Sequence, residues 1–392
     1  MCTLPHCRQI NMNQPHRIGI INYSHSDWQG GRNYIQNLLT ALQTLDADSL
    51  NFEVVEVPSH ESKSNSVLTR LKNRFHTIRG IHQPQLHAEL VKQGIDFAYY
   101  CATGDREKVG YQSAHWIADF QSLVRPEFSP DDYSVKAQSY FRSVLRDSQQ
   151  VVLSSNASQN DCRKLFPEYV SKTAVLPFRV ATFPQLIEQS LPSLPELKKR
   201  FDLPDKFFIV CNQFWAHKNH ETIFKAVEML SKKNKSTCVV CTGQWKDLRN
   251  RNHQETIDRL LEKPSIKQGI RLVGKIPFDS LLGLIRHSHA VIQPSHFEGW
   301  NTSVEESHCL GKTILLSDIP VHREQACPTA QYFDPTSYES LAKLMCNSLD
   351  EATTGFDAGR EQMAVDRYTV KIKEFARAFL NLATQSQHNH YG

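Results

Sequence analysis

Residues 290–307 read Ala290-Val-Ile-Gln-Pro-Ser-His-Phe-Glu-Gly-Trp-Asn-Thr-Ser-Val-Glu-Glu-Ser307. Ala290–Gln293 is a short apolar run, the pattern of a buried strand. Pro294 and Gly299 mark a turn, and a helix starting near Asn301 or Thr302 follows. Glu298 and Glu306 stand with seven residues between them. Glu306 then falls one turn inside the helix and Glu298 in the loop before it, with the helix N-terminus facing the same space. One carboxylate suits sugar hydroxyls in the loop and the other a ribose deeper in. The plainer alternative for Glu306 is a surface carboxylate, since Glu305 beside it must point elsewhere.

The same strand–loop–helix pattern recurs outward in both directions. Arg17–Tyr23 reads as a strand, a loop with Gly30 and Gly31 follows, and Tyr34, Ile35, Leu38, Leu39 and Leu42 then fall at helical spacing. Further apolar runs stand at Phe52–Val57, Phe97–Cys101, Val151–Leu153 and Ala174–Leu176. Residues 186–205 carry three prolines and one short helix, Glu196–Phe201, and read as a connection. The pattern restarts with a strand at Phe207–Asn212, a helix from His220 to about Lys232, and strands at Thr237–Thr242, Ile270–Val273, Ala290–Gln293 and Thr313–Ser317. A last helix, about Val370 to Thr384, either packs on its own domain or returns to brace the other.

Alternating β and α over such lengths predicts parallel sheets covered by helices. The expected organisation is a polar tail (1–16), an N-terminal Rossmann-like domain (17–187), a linker (188–205), a second such domain (206–366) and a C-terminal helix and tail (367–392). Ligands of open α/β sheets sit at the carboxyl ends of the strands, so the cleft between two such domains is the expected site.

A length of 392 residues fits two domains, and 40% hydrophobic with 22% charged residues excludes a disordered chain, a fibre and a coiled coil. No apolar run approaches the ~18 residues of a membrane span, and residues 1–16 lack the apolar core of a secretory signal. A cytoplasmic address is expected. A net charge of +4 is too small to imply nucleic acid. The ten cysteines are scattered and read as reduced thiols. Cys238 and Cys241 sit in a β-branched run, where residues three apart point to opposite faces, so they read as core. No histidine pair has convergent partners at ligand spacing, so no metal is expected.

Gly30 and Gly31 let the backbone approach a ligand ahead of a helix N-terminus, which suits a phosphate; a tight turn is the alternative. The run is not GxGxxG, which counts against a dinucleotide fold. Lys218, between a strand and a helix, suits a diphosphate, against the alternative of a solvated lysine; a cation at that helix end opposes the dipole. Ser66–Ile81 reads as a basic amphipathic helix with Arg70, Lys72, Arg74 and Arg79. It either lies on an anionic membrane or covers the sheet with its charges in water.

Taken together the chain resembles the retaining GT-B glycosyltransferases of family 4, of the bacterial cell-surface polysaccharide type. Glu298 and Glu306 match that family's E-x7-E motif, Pro294-Ser295, Gly311 and Ser317–Arg323 its flanks, Gly30-Gly31 its glycine loop and Lys218 its donor-diphosphate lysine. Trp116–Gln121 with Pro126-Glu127, and Ser154-Ser155, resemble a bacterial subgroup. The resemblance covers roughly residues 17–385 and is most specific in its second half. It implies two Rossmann-like domains facing each other across a cleft. It also implies transfer of a sugar from a nucleotide-diphosphate sugar to a glycan or lipid-linked acceptor, with retention, without a metal or other cofactor, in polysaccharide or lipopolysaccharide synthesis.

The catalytic candidates are Glu298, Lys218 and Asp119. The donor-binding candidates are Gly30, Gly31, Gln213, Lys218, Glu298, Gly299, Trp300, Asn301, Thr302, Ser303 and Glu306. Three features depart from the family. Gln213 stands where an arginine is common, and Ala118 where a histidine precedes Asp119. The turn Trp300-Asn301-Thr302-Ser303 is more polar than usual. Lipid-linked acceptors would bring the enzyme to the inner membrane surface, with the Ser66–Ile81 helix as the contact. Two other classes share the architecture: a sugar-nucleotide 2-epimerase, and a nucleotide-sugar-binding protein without turnover.

Overall fold

The structure, a computed structural model, describes residues 14–22, 29–46, 50–58, 84–100, 109–130, 133–188, 191–247, 250–325, 328–350 and 356–385. The Ser66–Ile81 segment, most of the 1–16 tail and residues 386–392 lie outside them.

Two six-stranded sheets form the frame. The first is built from β1 (His16–Asn22), β2 (Phe52–Pro58), β3 (Phe97–Tyr99), β4 (Gln112–Ile117), β5 (Gln150–Leu153) and β6 (Thr173–Val175), in the order β2-β1-β3-β4-β5-β6. The second is built from β7 (Phe208–Val210), β8 (Val239–Thr242), β9 (Ile270–Gly274), β10 (Ala290–Gln293), β11 (Ile314–Ser317) and β12 (Ala330–Phe333), in the order β12-β11-β10-β7-β8-β9. The pairings of β1 with β2 and β3, and of β10 with β7 and β11, are parallel. In both sheets the chain runs outward to one edge, returns to the middle and continues to the other, so each has the topological switch of a doubly wound fold. This is the α/β architecture expected from the repeated strand–loop–helix pattern.

Contacts divide the chain into two compact units, one of Met1–Trp116, Val144–Val151 and Ala376–Gly392, the other of Ile117–Ser143 and Val152–Phe375. The first unit buries Ile21, Val57, Leu90, Ile95 and Ala98 in one cluster. The second packs Phe208, Val210, Ile292 and Leu315 of the sheet against Ile223, Phe224 and Val227 of the His220–Lys232 helix. Strands this continuously apolar are what a parallel sheet covered on both faces requires.

Three elements depart from the sequence reading. β4 (QSAHWI) is wholly buried although half of it is polar, so it leaves no apolar run. β12 is an edge strand with only Phe333 fully buried. The C-terminal helix begins at Ala358, twelve residues early, because its first turns bury only Glu361, Ala364 and Tyr368. Within the first unit its end packs Phe379 edge-on against Tyr99, with ring centroids 4.8 Å apart.

Candidate active site

The site in the second unit is assembled at the carboxyl ends of β7 and β10, neighbours in the sheet. After β7 the chain makes a 3-10 turn, Ala216–Lys218, then enters the His220–Lys232 helix through Asn219. Asn219 has φ +56°, a left-handed conformation that asparagine tolerates. Its side-chain amide donates to the Pro294 and Pro335 carbonyls at 2.9 and 2.8 Å, which ties this turn to the segment after β10. Lys218 is thereby aimed at Glu298: its Nζ donates to both carboxylate oxygens, at 2.7 and 2.8 Å. Only 15% of the lysine side chain and 7% of the glutamate side chain are exposed.

Around this pair runs a buried polar chain. Glu298 Oε1 accepts from Ser295 Oγ at 2.6 Å and from Asn301 Nδ2 at 3.2 Å. Asn301 Nδ2 also lies 3.4 Å from Gln293 Oε1, which accepts from Asn212 Nδ2 at 2.7 Å. His322 Nδ1 sits 2.9 Å from the Ser317 carbonyl, which can only accept, so the proton is on Nδ1 and Nε2 is left as acceptor toward Asn301 Nδ2 at 3.3 Å. Burial lowers the His322 pKa to about 4, which keeps that ring neutral. Asn301 Oδ1 in turn accepts from Val304 N and caps the Thr302–Cys309 helix. One side chain thus fixes both the loop that carries Glu298 and the helix that carries Glu306.

That helix is mostly polar yet almost entirely buried, an arrangement that costs free energy unless each polar group is met. Its two adjacent glutamates differ sharply. Glu305 accepts from Arg179 Nη1 (3.2 Å), Gln325 Nε2 (3.0 Å) and the Tyr368 hydroxyl (2.8 Å), so it is fully satisfied inside the protein. Glu306 is 6% exposed, and its side chain accepts no hydrogen bond from the described residues. Burial pushes its carboxyl up to about 8. Its folded pKa therefore lies above the ~4.3 of an unfolded chain, and ionisation penalises the folded state. Stability is fully present below about pH 4 and is lost as pH rises toward 8, with a slope of at most about 1.4 kcal/mol per pH unit. Thermal melts from pH 5 to 8 should show Glu306→Gln with a flatter profile than wild type. Parallel profiles would mean that Glu306 is not buried as a neutral acid.

The remaining candidates fall into three groups. Asp119 is brought against the motif turn: a methyl group added to Gly299 would lie 2.5 Å from the Ala118 carbonyl oxygen and 2.9 Å from Asp119 Oδ2. Burial raises the Asp119 pKa to about 6, while a hydrogen bond from Gln121 N (2.8 Å) pulls the other way and Glu298 adds to the rise. Gln213 and Ser303 are engaged with backbone, Gln213 Oε1 accepting from Gln244 N at 2.7 Å and Ser303 Oγ donating to Cys211 O at 3.0 Å. Trp300 lies under the Arg179 guanidinium, 5.4 Å from it, and its buried indole N–H has no partner among the described residues. Thr302 opens the helix. Gly30 and Gly31 belong to the first unit, inside the first turn of the Gln29–Leu42 helix rather than before it.

Residues 196–354 match the family model described as "Glycosyl transferases group 1". Over nearly its whole length the chain is similar in structure to a glycosyltransferase from Rickettsia africae, at 14% identity and a TM-score of 0.65, covering 96% of this chain and 100% of that one. HepE of Anabaena, solved in complex with UDP and glucose, aligns at 14% identity and a TM-score of 0.59 over 94% of this chain and 100% of its own. The fold is GT-B. In sequence the chain is 21% identical over 240 residues to the O-antigen chain mannosyltransferase RfbU of Salmonella typhimurium, a match that spans 60% of this chain and 62% of that relative.

The segment matched by the family model, 196–354, contains Lys218, Glu298, Asn301 and Glu306. Sequence reasoning missed the residues that hold it: Asn212, Gln293, His322, Arg179, Glu305 and Tyr368. For Gln293 a local signal existed, a polar residue ending an apolar strand. Arg179 and Tyr368 meet Glu305 across 126 and 63 residues, and no local spacing announces that.

Proposed function

We propose that the protein transfers a sugar from a nucleotide-diphosphate sugar to an acceptor hydroxyl with retention of anomeric configuration. The acceptor is a glycan or lipid-linked glycan of cell-surface polysaccharide or lipopolysaccharide synthesis. The observation that carries this reading is the Lys218–Glu298 pair together with Glu306, buried in the helix that follows the Glu298 loop and accepting no side-chain hydrogen bond among the described residues. A cation, a carboxylate within its reach and a buried carboxyl group left open form a set suited to a diphosphate, sugar hydroxyls and a ribose. The likeness to HepE, solved with UDP and glucose, and to the mannosyltransferase RfbU supports the same ligand class.

In the reaction, the leaving diphosphate gains charge as the glycosidic bond breaks. Lys218 is held ready to stabilise that charge without reorganising. Glu298 orients the sugar through its hydroxyls, and Glu306 anchors the ribose. Asp119, at the same turn, is the remaining acid–base candidate, and the donor phosphate itself takes the acceptor proton. Incubating the protein with a panel of UDP-, GDP-, ADP- and dTDP-sugars tests the reading. Slow hydrolysis to nucleoside diphosphate and sugar is expected. Epimerisation of the donor would assign it to the 2-epimerases, and binding without turnover to a scaffold.

Transfer is proposed to run without a metal, because a lysine placed on the diphosphate replaces the cation. Hydrolysis in the panel should therefore survive excess chelator. If activity disappears and magnesium or manganese restores it, Lys218 is not the group that carries the diphosphate charge.

A further inference from the structure

The ammonium of Lys218 is already occupied within the protein. Glu298 takes it with both carboxylate oxygens, at 2.7 and 2.8 Å. Ser295 and Asn301 hold that carboxylate from behind, through its Oε1 atom, at 2.6 and 3.2 Å. The pair is shielded from water, so neither partner can exchange the other for solvent cheaply. A donor diphosphate needs the same Nζ, and it carries the same sign of charge as the carboxylate in its place.

We propose that Glu298 stands in for the donor diphosphate on Lys218 and thereby determines specificity. Only a ligand that brings a diphosphate for the lysine, together with hydroxyls on the adjoining sugar for the displaced carboxylate, restores both interactions. This inference rests on the donor reading above and adds a selection rule to it. A free sugar offers nothing that displaces the carboxylate. A bare nucleoside diphosphate takes the lysine but leaves Glu298, held only by Ser295 and Asn301, as an anion without its counter-ion beside the phosphates, so the product of transfer is held less firmly than the substrate. The class favoured is a nucleoside diphosphate bearing a hydroxylated sugar, over the nucleoside diphosphate alone.

Calorimetry with UDP, GDP and ADP, and with the matching sugar nucleotides, tests this on wild type, Glu298→Gln and Lys218→Ala. Glutamine keeps the size of the side chain and a partner for Ser295 while removing the competing charge. Glu298→Gln should bind the accepted nucleoside diphosphate roughly tenfold more tightly than wild type, the direction set by loss of a like charge in a poorly solvated site. The same variant should lose the wild-type preference for the sugar nucleotide over the bare diphosphate. Glu298→Ala should move both quantities in the same direction, which guards against a local folding defect in one variant. If Lys218→Ala weakens the diphosphate but neither Glu298 variant tightens it, the carboxylate does not compete and the proposal falls while the donor clamp stands. If Lys218→Ala binds as wild type does, or wild type binds none of the probes, the donor reading falls and takes this inference with it.

Discussion

Replacing Lys218 with alanine is expected to lower kcat/KM by about 10²–10³, the effect of removing one preorganised group that stabilises developing charge. The geometry makes the effect specific to charge. Lys218 is positioned by the Asn219 turn, whose amide bonds to Pro294 and Pro335 do not involve the lysine side chain, so the turn survives the substitution. What is lost is the ammonium and the partner of Glu298, whose carboxylate is then buried without a counter-ion. Steady-state kinetics with the donor found in the panel measure this. Activity within about twofold of wild type would remove Lys218 from the mechanism.

Gly299→Ala is expected to lower kcat by about 10²-fold with only a modest loss of stability. The added methyl group would meet the Ala118 carbonyl oxygen at 2.5 Å and Asp119 Cβ at 2.7 Å. Neither atom can rotate away, so the turn carrying Glu298 or the loop carrying Asp119 must shift. A displacement of about 1 Å at a reacting centre is enough to cost about 10² in rate. Overpacking at a single methyl costs typically 1–3 kcal/mol, roughly a few degrees in Tm. Parallel measurement of kcat and Tm separates the two effects. A variant that melts like wild type and turns over like wild type would mean that the close approach of the two loops is not needed for catalysis.

Much of this arrangement was legible in the sequence, and the reasons are physical. Asn301 as the start of a helix follows from cap chemistry, and the Thr302–Cys309 helix begins there. The His220–Lys232 helix and the strands β8, β10 and β11 follow from apolar periodicity, and Cys238 and Cys241 are buried as that strand pattern requires. What resisted reading was burial of polar groups. β4 hides Gln112, Ser113 and His115 in the interior, so its composition imitates a loop. Glu305 and Glu306 are identical in sequence terms, yet one is saturated by Arg179, Gln325 and Tyr368 and the other is left open. That difference depends on partners more than sixty residues away for two of the three bonds. Gln213, which replaces a common arginine, holds the Gln244 backbone, a use that no motif suggests.

The departures at Gln213 and Ala118 leave Lys218 as the cation within reach of Glu298 among the described residues, and they concentrate the proposed chemistry on one ion pair. The most direct test follows the anomeric centre. Proton NMR during hydrolysis of the accepted α-linked sugar nucleotide should show the α-sugar as the first product, before mutarotation, in wild type and at a rate reduced about 10²–10³-fold in Lys218→Ala. A β-sugar appearing first, or release of sugar that is indifferent to Lys218, would contradict the account.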